Sequence, residues 1–240
     1  VGKTELSKQL AQQLGMTFIR FDMSEYAEKH TIARLVGAPP GYVGFDQGGQ
    51  LTEAILKSPH AVLLLDEIEK AHPDIYNVLL QVMDYGMLTD GAGRKADCRN
   101  VILIMTSNVG ARELAATGIG FQDAAAGPQA PTASPKALER TFAPEFRNRL
   151  EAIIHFHPLT LDLVERIVDK VVTEVGGFLA KRKVTLELSP PARRWLAEKG
   201  FDPRFGARPV ARLVRDEIQE KLVDDLLFGS LAHGGTVQVS

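Results

Sequence analysis

AVLLLDE, residues 61–67, is an unbroken apolar run closed by two acids. Such a run suits a strand covered on both faces, as in a parallel sheet, with its carboxylates at the carboxyl edge. VILIMTSN (101–108) is read the same way, as a second buried strand ending in polar residues. TFIRFD (17–22) is read as a short strand and AIIHF (152–156) as another. Helical patterns lie between them. From Thr4 to Leu14, apolar Leu6, Leu10, Ala11 and Leu14 recur at helical spacing, with Gly15 as a stop. Further helices are expected around 31–36, over 50–57, and from Pro73 to Tyr85 with proline near the start. Strand alternating with helix is the pattern of an α/β layered sheet.

After His157-Pro158 the texture changes. Residues 160–182 form a long amphipathic pattern, VTLEL is a short strand, and 190–228 is mostly helical with a break at Gly206. The expected division is a large α/β domain over 1–157 and a smaller, mostly helical one over 158–240. The stretch 117–137 is rich in Ala, Pro and Gly and too long for an ordinary connection, so it reads as a linker or a functional loop. The 240 residues can bury a sizeable core, and 45% hydrophobic with 24% charged residues is an ordinary globular balance. A net charge of −2 gives no electrostatic case for nucleic acid or an anionic membrane. A single cysteine, Cys98, excludes an internal disulfide framework and a thiolate zinc cluster. No apolar run approaches the ~20 residues of a membrane-spanning helix.

The chain opens VGKTELSKQL. Gly2-Lys3-Thr4 running into a helical pattern is how a phosphate-binding loop ends, although the full pattern needs a further glycine upstream of Val1. Alone, the tripeptide is cheap. Alone, Asp66-Glu67 is also what a solvated strand end looks like. Together they supply what a nucleoside triphosphatase needs around one phosphate chain. A helix N-terminus and a lysine hold phosphates. A hydroxyl and an aspartate hold Mg²⁺, and a second carboxylate orients or deprotonates the attacking water. Asn108, at the end of the 101–108 run, can reach the γ-phosphate or the water; by itself a strand-end Asn is commonly a turn residue. PEFRNRLE (144–151) offers Arg147 and Arg149 as guanidinium groups for a neighbouring subunit's γ-phosphate, or as surface ion pairs. GARP (206–209) puts Arg208 at a helix start, where it can bind phosphate across the domain junction.

VGKTE, FDMSEY, GAPPGYVG, LLLDEIEKAHPD, MTSN, PEFRNRL and GARP, in this order, resemble the second ATPase ring of the Clp/Hsp100 unfoldases of the AAA+ class. The resemblance covers nearly the whole chain and is strongest to the ClpA branch, the ATP-binding partners of the ClpP protease. It implies a cytoplasmic ATPase that uses ATP and Mg²⁺, assembles as a homo-hexamer, and threads unfolded protein substrates, with or without adaptor proteins, through a central pore. Residue by residue, it implies that Gly2, Lys3 and Thr4 end the Walker A motif. Asp66 and Glu67 form Walker B, Glu67 activating water and Thr4 and Asp66 serving Mg²⁺. Asn108 is implied as sensor 1, Arg149 as the arginine finger acting in trans and Arg208 as sensor 2. A fragment is expected, lacking the front of Walker A, a first ATPase ring and an N-terminal adaptor-binding domain. That leaves the fragment's own ATP hydrolysis open.

GYVG places Tyr42 and Val43 between Gly41 and Gly44, an amphipathic aromatic face with backbone freedom on either side. A tyrosine packed over a turn is the plainer reading; the resemblance implies a pore loop that pulls the substrate chain. EKAHPD (69–74) is the expected second pore loop, with Lys70 and His72. Ile119-Gly120-Phe121 sits in the Ala/Pro-rich segment, where apolar residues gain no core and suit docking into a partner's pocket. The resemblance implies ClpP as that partner. A disaggregase of the same family would lack this tripeptide. A nucleic-acid AAA+ machine would carry basic stripes and no aromatic pore loop, and a passive nucleotide-binding module would lack the water-activating Glu67.

Overall fold

The computed structural model describes residues 2–38, 41, 48–109, 135–202 and 206–240. The chain divides into two compact units, one built from Gly2–Phe156 and one from His157–Ser240.

In the first unit, three parallel strands lie in the order β1 (Thr17–Asp22), β2 (Ala61–Asp66), β5 (Val101–Met105). The register aligns Asp22 with Asp66 and Leu65 with Met105, so the carboxyl ends of all three strands share one edge. β2 lies in the middle and Ala61 through Leu65 are buried. Each fully buried Val or Leu there contributes roughly 1.5–3 kcal/mol, which makes this strand the anchor of the unit. Helix α1 (Lys3–Leu14) packs on β1 and β2. Its buried residues are Ser7 and Ala11, whereas Leu6 and Leu14 are each 52% exposed. The helix forms where its apolar spacing predicts, but its small face is the one turned inward. Ser7 and Ala11 allow close approach to the sheet, and Ser7 Oγ donates to the Lys3 carbonyl at 3.1 Å. Gly15 ends the helix in the left-handed conformation, as its position predicts.

Helices α2 (Lys29–Val36), α3 (Gln50–Lys57) and α4 (Pro73–Tyr85) complete the cover, with Met23, Leu35, Leu51, Ile55, Ile75 and Leu79 in the core. Pro73 opens α4 beneath a His72 cap, Nδ1 accepting from the Asp74 amide at 3.2 Å. Tyr76 of α4 packs against Phe142 and Phe146 with ring centroids 6.0 and 5.1 Å away. Those contacts seat α5 (Pro135–Thr141) and α6 (Pro144–Arg147).

Three features depart from the sequence expectation. Residues 152–156 form no strand, and Ile153, Ile154 and Phe156 are 49%, 70% and 44% exposed. An apolar β-branched run becomes a strand only where a neighbour completes its hydrogen bonds, and none of the described strands pairs with it. β5 stops at Met105 and is only partly buried, β2 being its one neighbour among the described strands; Thr106 to Asn108 lie beyond it. A short hairpin, β3 (Met87–Thr89) with β4 (Lys95–Asp97), was not legible as strands.

The second unit has its own core of Val164, Val168, Val172, Val175, Val184, Leu196, Val210 and Val214. Helix α7 (Leu161–Ala180) supplies the first four along one face. β6 (Val184–Leu188), α8 (Pro190–Gly200), α9 (Arg208–Val214), a π-turn at Arg215–Gln219, α10 (Glu220–Leu227) and β7 (Gly235–Val239) follow. β6 and β7 pair in parallel. No helix of the described residues is long and apolar enough to cross a membrane.

Candidate functional site

The carboxyl edge of the sheet gathers the charged side chains. Gly2 caps α1 with φ 101°, a conformation that L side chains rarely adopt, and it offers no side-chain cap. The first turn of α1 therefore keeps its backbone N–H groups for an anion. Lys3 extends from this turn to the end of β5. Its Nζ donates to the Ser107 carbonyl and, at 3.1 Å, to Asn108 Oδ1. Burial pulls the Lys3 ammonium below its ordinary pKa, against the opposing pull of the Glu69, Asp66 and Glu67 carboxylates.

Asp66 ends β2 and is densely engaged. Thr4 Oγ1 donates to its Oδ2 at 3.3 Å, and Thr106 Oγ1 donates to its Oδ1. Arg20 of β1 donates to the same Oδ2 through Nε at 3.1 Å and Nη2 at 2.7 Å. Thr106 is buried and serves twice, since its Oγ1 also accepts from the Glu67 amide at 3.2 Å.

Glu67 lies just beyond the strand in the left-handed conformation, φ 56° and ψ 49°, unusual for a residue with a side chain. The turn is held by the Ile68 amide on the Thr106 carbonyl at 3.0 Å and by Tyr76, whose hydroxyl donates to the Ile68 carbonyl at 2.6 Å. Burial pushes the Tyr76 phenol up to about 12, with Glu69 adding to it. The twist directs the Glu67 carboxylate toward Asn108, whose Nδ2 donates to Oε1 at 3.3 Å, while Lys70 pairs with Oε2. Asn108 is fixed in turn by its own amide, donating to Glu69 Oε1 at 2.9 Å.

Lys3, Thr4, Asp66, Glu67 and Asn108, separated by up to 105 residues, thus converge in front of one helix N-terminus. Within the first unit, Arg149 and Arg147 have other partners. Arg149 forms a two-pronged pair with Asp84 of α4, through Nε to Oδ1 and through Nη2 to Oδ2 at 3.2 Å. That hydrogen bond raises Arg149 and lowers Asp84 from their ordinary pKa values. Arg147 reaches Glu139 at 3.7 Å. Arg208 opens α9 in the other unit. Tyr42, Val43, Ile119, Gly120 and Phe121 lie outside the described residues. Of the two residues read for a second pore loop, Lys70 is paired with Glu67 and His72 caps α4.

Sequence reasoning passed over Arg20, Thr106, Glu69 and the Lys70 pairing. For Arg20 a signal existed, a charged residue inside an apolar strand, two residues before Asp22. Which carboxylate it meets follows only from the register of β1 on β2.

These groups fit a nucleoside triphosphate with a divalent cation. Lys3 is a half-buried cation whose hydrogen bonds go to neutral oxygens, leaving its charge for a phosphate. The Thr4 hydroxyl and Asp66 carboxylate are adjacent hard oxygens of the kind Mg²⁺ takes. Among the described residues no cluster of three or more His, Cys, Asp or Glu could hold a metal ion. A cation here would accordingly draw further ligands from phosphate and water, as Mg²⁺ commonly does.

Residues 1–153 match the family model described as AAA domain (Cdc48 subfamily), and residues 159–239 match the C-terminal, D2-small domain of ClpB protein. A ClpA homolog protein of Fuscovulum blasticum is 57% identical over 240 residues, covering 100% of this chain and 30% of the relative. The chaperone protein ClpB of Mycobacterium tuberculosis (strain ATCC 25618 / H37Rv) is 50% identical over 243 residues, and that of Agrobacterium fabrum 48% over 246; each covers 100% of this chain and 27% of the relative. The chain spans less than a third of the length of these curated relatives. With a family model matched across most of the first unit and a second across the other, this chain belongs to the AAA ATPase family, as part of a Clp/Hsp100 protein.

Proposed function

We propose that this chain is the ATP-hydrolysing module of a Clp/Hsp100 unfoldase and translocase. The large subdomain would be 1–157 and the small one 158–240. The observation that carries the reading is the convergence of Lys3, Thr4, Asp66, Glu67 and Asn108 before the open N-terminus of α1. The α1 amides and Lys3 bind the phosphates, and Lys3 neutralises charge that develops on them. Thr4 and Asp66 would hold Mg²⁺, which would supply positive charge to offset that of the phosphates. Glu67 accepts the proton of the attacking water, and Asn108, hydrogen-bonded to it, aligns that water with the γ-phosphate. For this, the Lys70 and Arg20 contacts to Glu67 and Asp66 must loosen when nucleotide binds.

Arg149 acts in trans on the neighbouring subunit of a homo-hexamer, after release from Asp84, and Arg208 reads the nucleotide from the small subdomain. Tyr42 and Val43 grip the unfolded substrate, which adaptor proteins deliver. Nucleic acid and membrane play no part, and the setting is cytoplasmic. The test is ATP binding and turnover by the full-length protein. Lys3→Ala should weaken ATP binding itself, and unchanged affinity would contradict the phosphate role. Arg149→Ala should lower turnover in a way that subunits with an intact finger rescue. Arg208→Ala should lower turnover by about tenfold, the loss of one charge-assisted hydrogen bond.

The ClpP partnership rests on Ile119-Gly120-Phe121 and on similarity to a ClpA homolog. ClpB relatives at 48–50% identity keep open the reading as a disaggregase without a protease partner. Replacing the tripeptide with Ser-Gly-Ser and measuring binding to the ClpP ring separates them. Loss of binding supports ClpP docking, and no binding by the unaltered protein favours the disaggregase.

A further inference from the structure

The described residues on either side of the GYVG segment, Gly37 and Gly49, lie against each other. A Cβ on Gly37 would lie 3.3 Å from the Gly49 amide nitrogen and 2.9 Å from that of Gly91. One on Gly49 would lie 2.6 Å from the Leu35 carbonyl oxygen, and one on Gly91 2.3 Å from that of Ala38. Three backbones meet here with no room for a side chain, and Gly37 additionally has φ +86°. The third backbone is the tip of the β3–β4 hairpin.

Asp90, in that tip, is fully buried at its side chain. Its Oδ1 accepts from the Ala92 and Arg94 amides at 3.1 and 2.8 Å, which close the turn. Its Oδ2 does something a turn does not require. It accepts from the Gly49 amide at 3.4 Å, 41 residues away, and from Arg94 Nε at 2.8 Å. The Gly91 amide meanwhile donates to the Val36 carbonyl at 2.9 Å. Arg94 then spans to Glu53 of α3 at 3.5 Å and lies over Gly48, where a Cβ would fall 0.8 Å from Nη2. Burial pushes the Asp90 carboxyl up, but its hydrogen bonds from Arg94 and Gly49 outweigh this and hold it below the usual carboxylate range. The charge is therefore kept at neutral pH.

We propose that Asp90 and Arg94 are positioning residues for substrate handling: they clamp the Gly48–Gly49 stem of the loop that carries Tyr42 and fix the turn whose Gly91 amide holds the Val36 stem. The proposal rests on the reading of Tyr42 as the substrate grip. A loop that pulls on a chain transmits force only if its base does not pivot. The Gly49 stem is tied to the buried Asp90 carboxylate and covered by Arg94, the Val36 stem is tied to the Gly91 amide of the same turn, and none of these contacts involves Lys3, Thr4, Asp66, Glu67 or Asn108.

The test uses the full-length protein and follows unfolding of a tagged stable protein alongside ATP KM and turnover. Arg94→Ala removes the guanidinium that holds Asp90 Oδ2 and covers Gly48. Gly48→Ala keeps Arg94 but displaces its flexible end, and so guards against a simple folding failure. Both should slow unfolding about tenfold, since small misplacements of a working group cost that much or more, with ATP KM and turnover unchanged. Adding Arg94→Ala to Tyr42→Ala should cause no further loss. If Tyr42→Ala cripples unfolding while Arg94→Ala and Gly48→Ala do not, the clamp is overturned and the grip stands. If Tyr42→Ala unfolds substrate normally, the grip itself fails, and the clamp with it. A parallel fall in ATP turnover would reduce Arg94 to a fold residue and overturn the proposal.

Discussion

β2 and β6 are both parallel strands, yet they end differently. β2 has a partner on each side, is buried along Ala61–Leu65, and delivers Asp66 and Glu67 to an edge faced by a helix N-terminus. Among the described strands β6 has one partner; it alternates Val184 and Leu186 inward with exposed Thr185 and Glu187, and runs into Ser189, whose hydroxyl caps α8. A parallel pair alone makes no site. A site arises where covered strands carry charge to an edge that other elements also reach, because there the low dielectric makes each charge count.

The comparison breaks most visibly at Glu67. Glu67→Gln keeps the shape of the side chain and loses its basicity. ATP hydrolysis by the full-length protein should fall about a thousandfold, within the span of general-base effects, with ATP binding retained. Hydrolysis surviving this change would place the chemistry elsewhere. The two strands should differ next in stability. Leu64→Ala, at a fully buried position, should cost about 3 kcal/mol, against about 1 kcal/mol for Leu186→Ala on the half-covered strand. The single tryptophan, Trp195, lies in the second unit and the four tyrosines lie in the first, so urea unfolding followed by both signals assigns each loss to its unit. Equal losses would erase the distinction between covered and open strands.

A smaller effect sharpens the comparison through pH. Tyr76 is pushed up to about 12, above the roughly 10 of an unfolded tyrosine. Its stabilising contribution is fully present below pH 10 and is lost as pH rises from there to 12. Burial also raises Tyr26, so an absorbance titration should find more than one late phenolate, and Tyr76→Phe should remove the Tyr76 part of the alkaline loss. A Tyr76 that titrates with the rest would mean the Glu67 turn is more open than its contacts imply. The smallest effect belongs to the β6 end. Ser189→Ala should cost about 1 kcal/mol, read from Trp195 fluorescence, and leave ATP turnover alone.

Much of the fold was legible because its signals are local. The apolar run 61–65, the glycine stop at Gly15 and the proline at the start of α4 each act within a few residues. What misled was also local. AIIHF has strand composition, but composition cannot supply a neighbour. Thr4–Leu14 has a leucine stripe, but close packing on the sheet selected Ser7 and Ala11. The three-residue strands of the β3–β4 hairpin are too short for their patterns to stand above background.

The sequence by itself determined the alternation of strand and helix, the acids at the end of β2 and the Gly-Lys-Thr entry to α1. Those depend on side-chain period, backbone preference and residue order. Tertiary structure alone decided that Arg20 sits on Asp66, that Lys70 and Asn108 share Glu67, and that Asp90 joins a hairpin to the stems of a distant loop. A carboxylate in the chain has many cations and amides available to it. Which it takes depends on strand register and on backbones meeting across tens of residues, and distance along the sequence does not encode that choice.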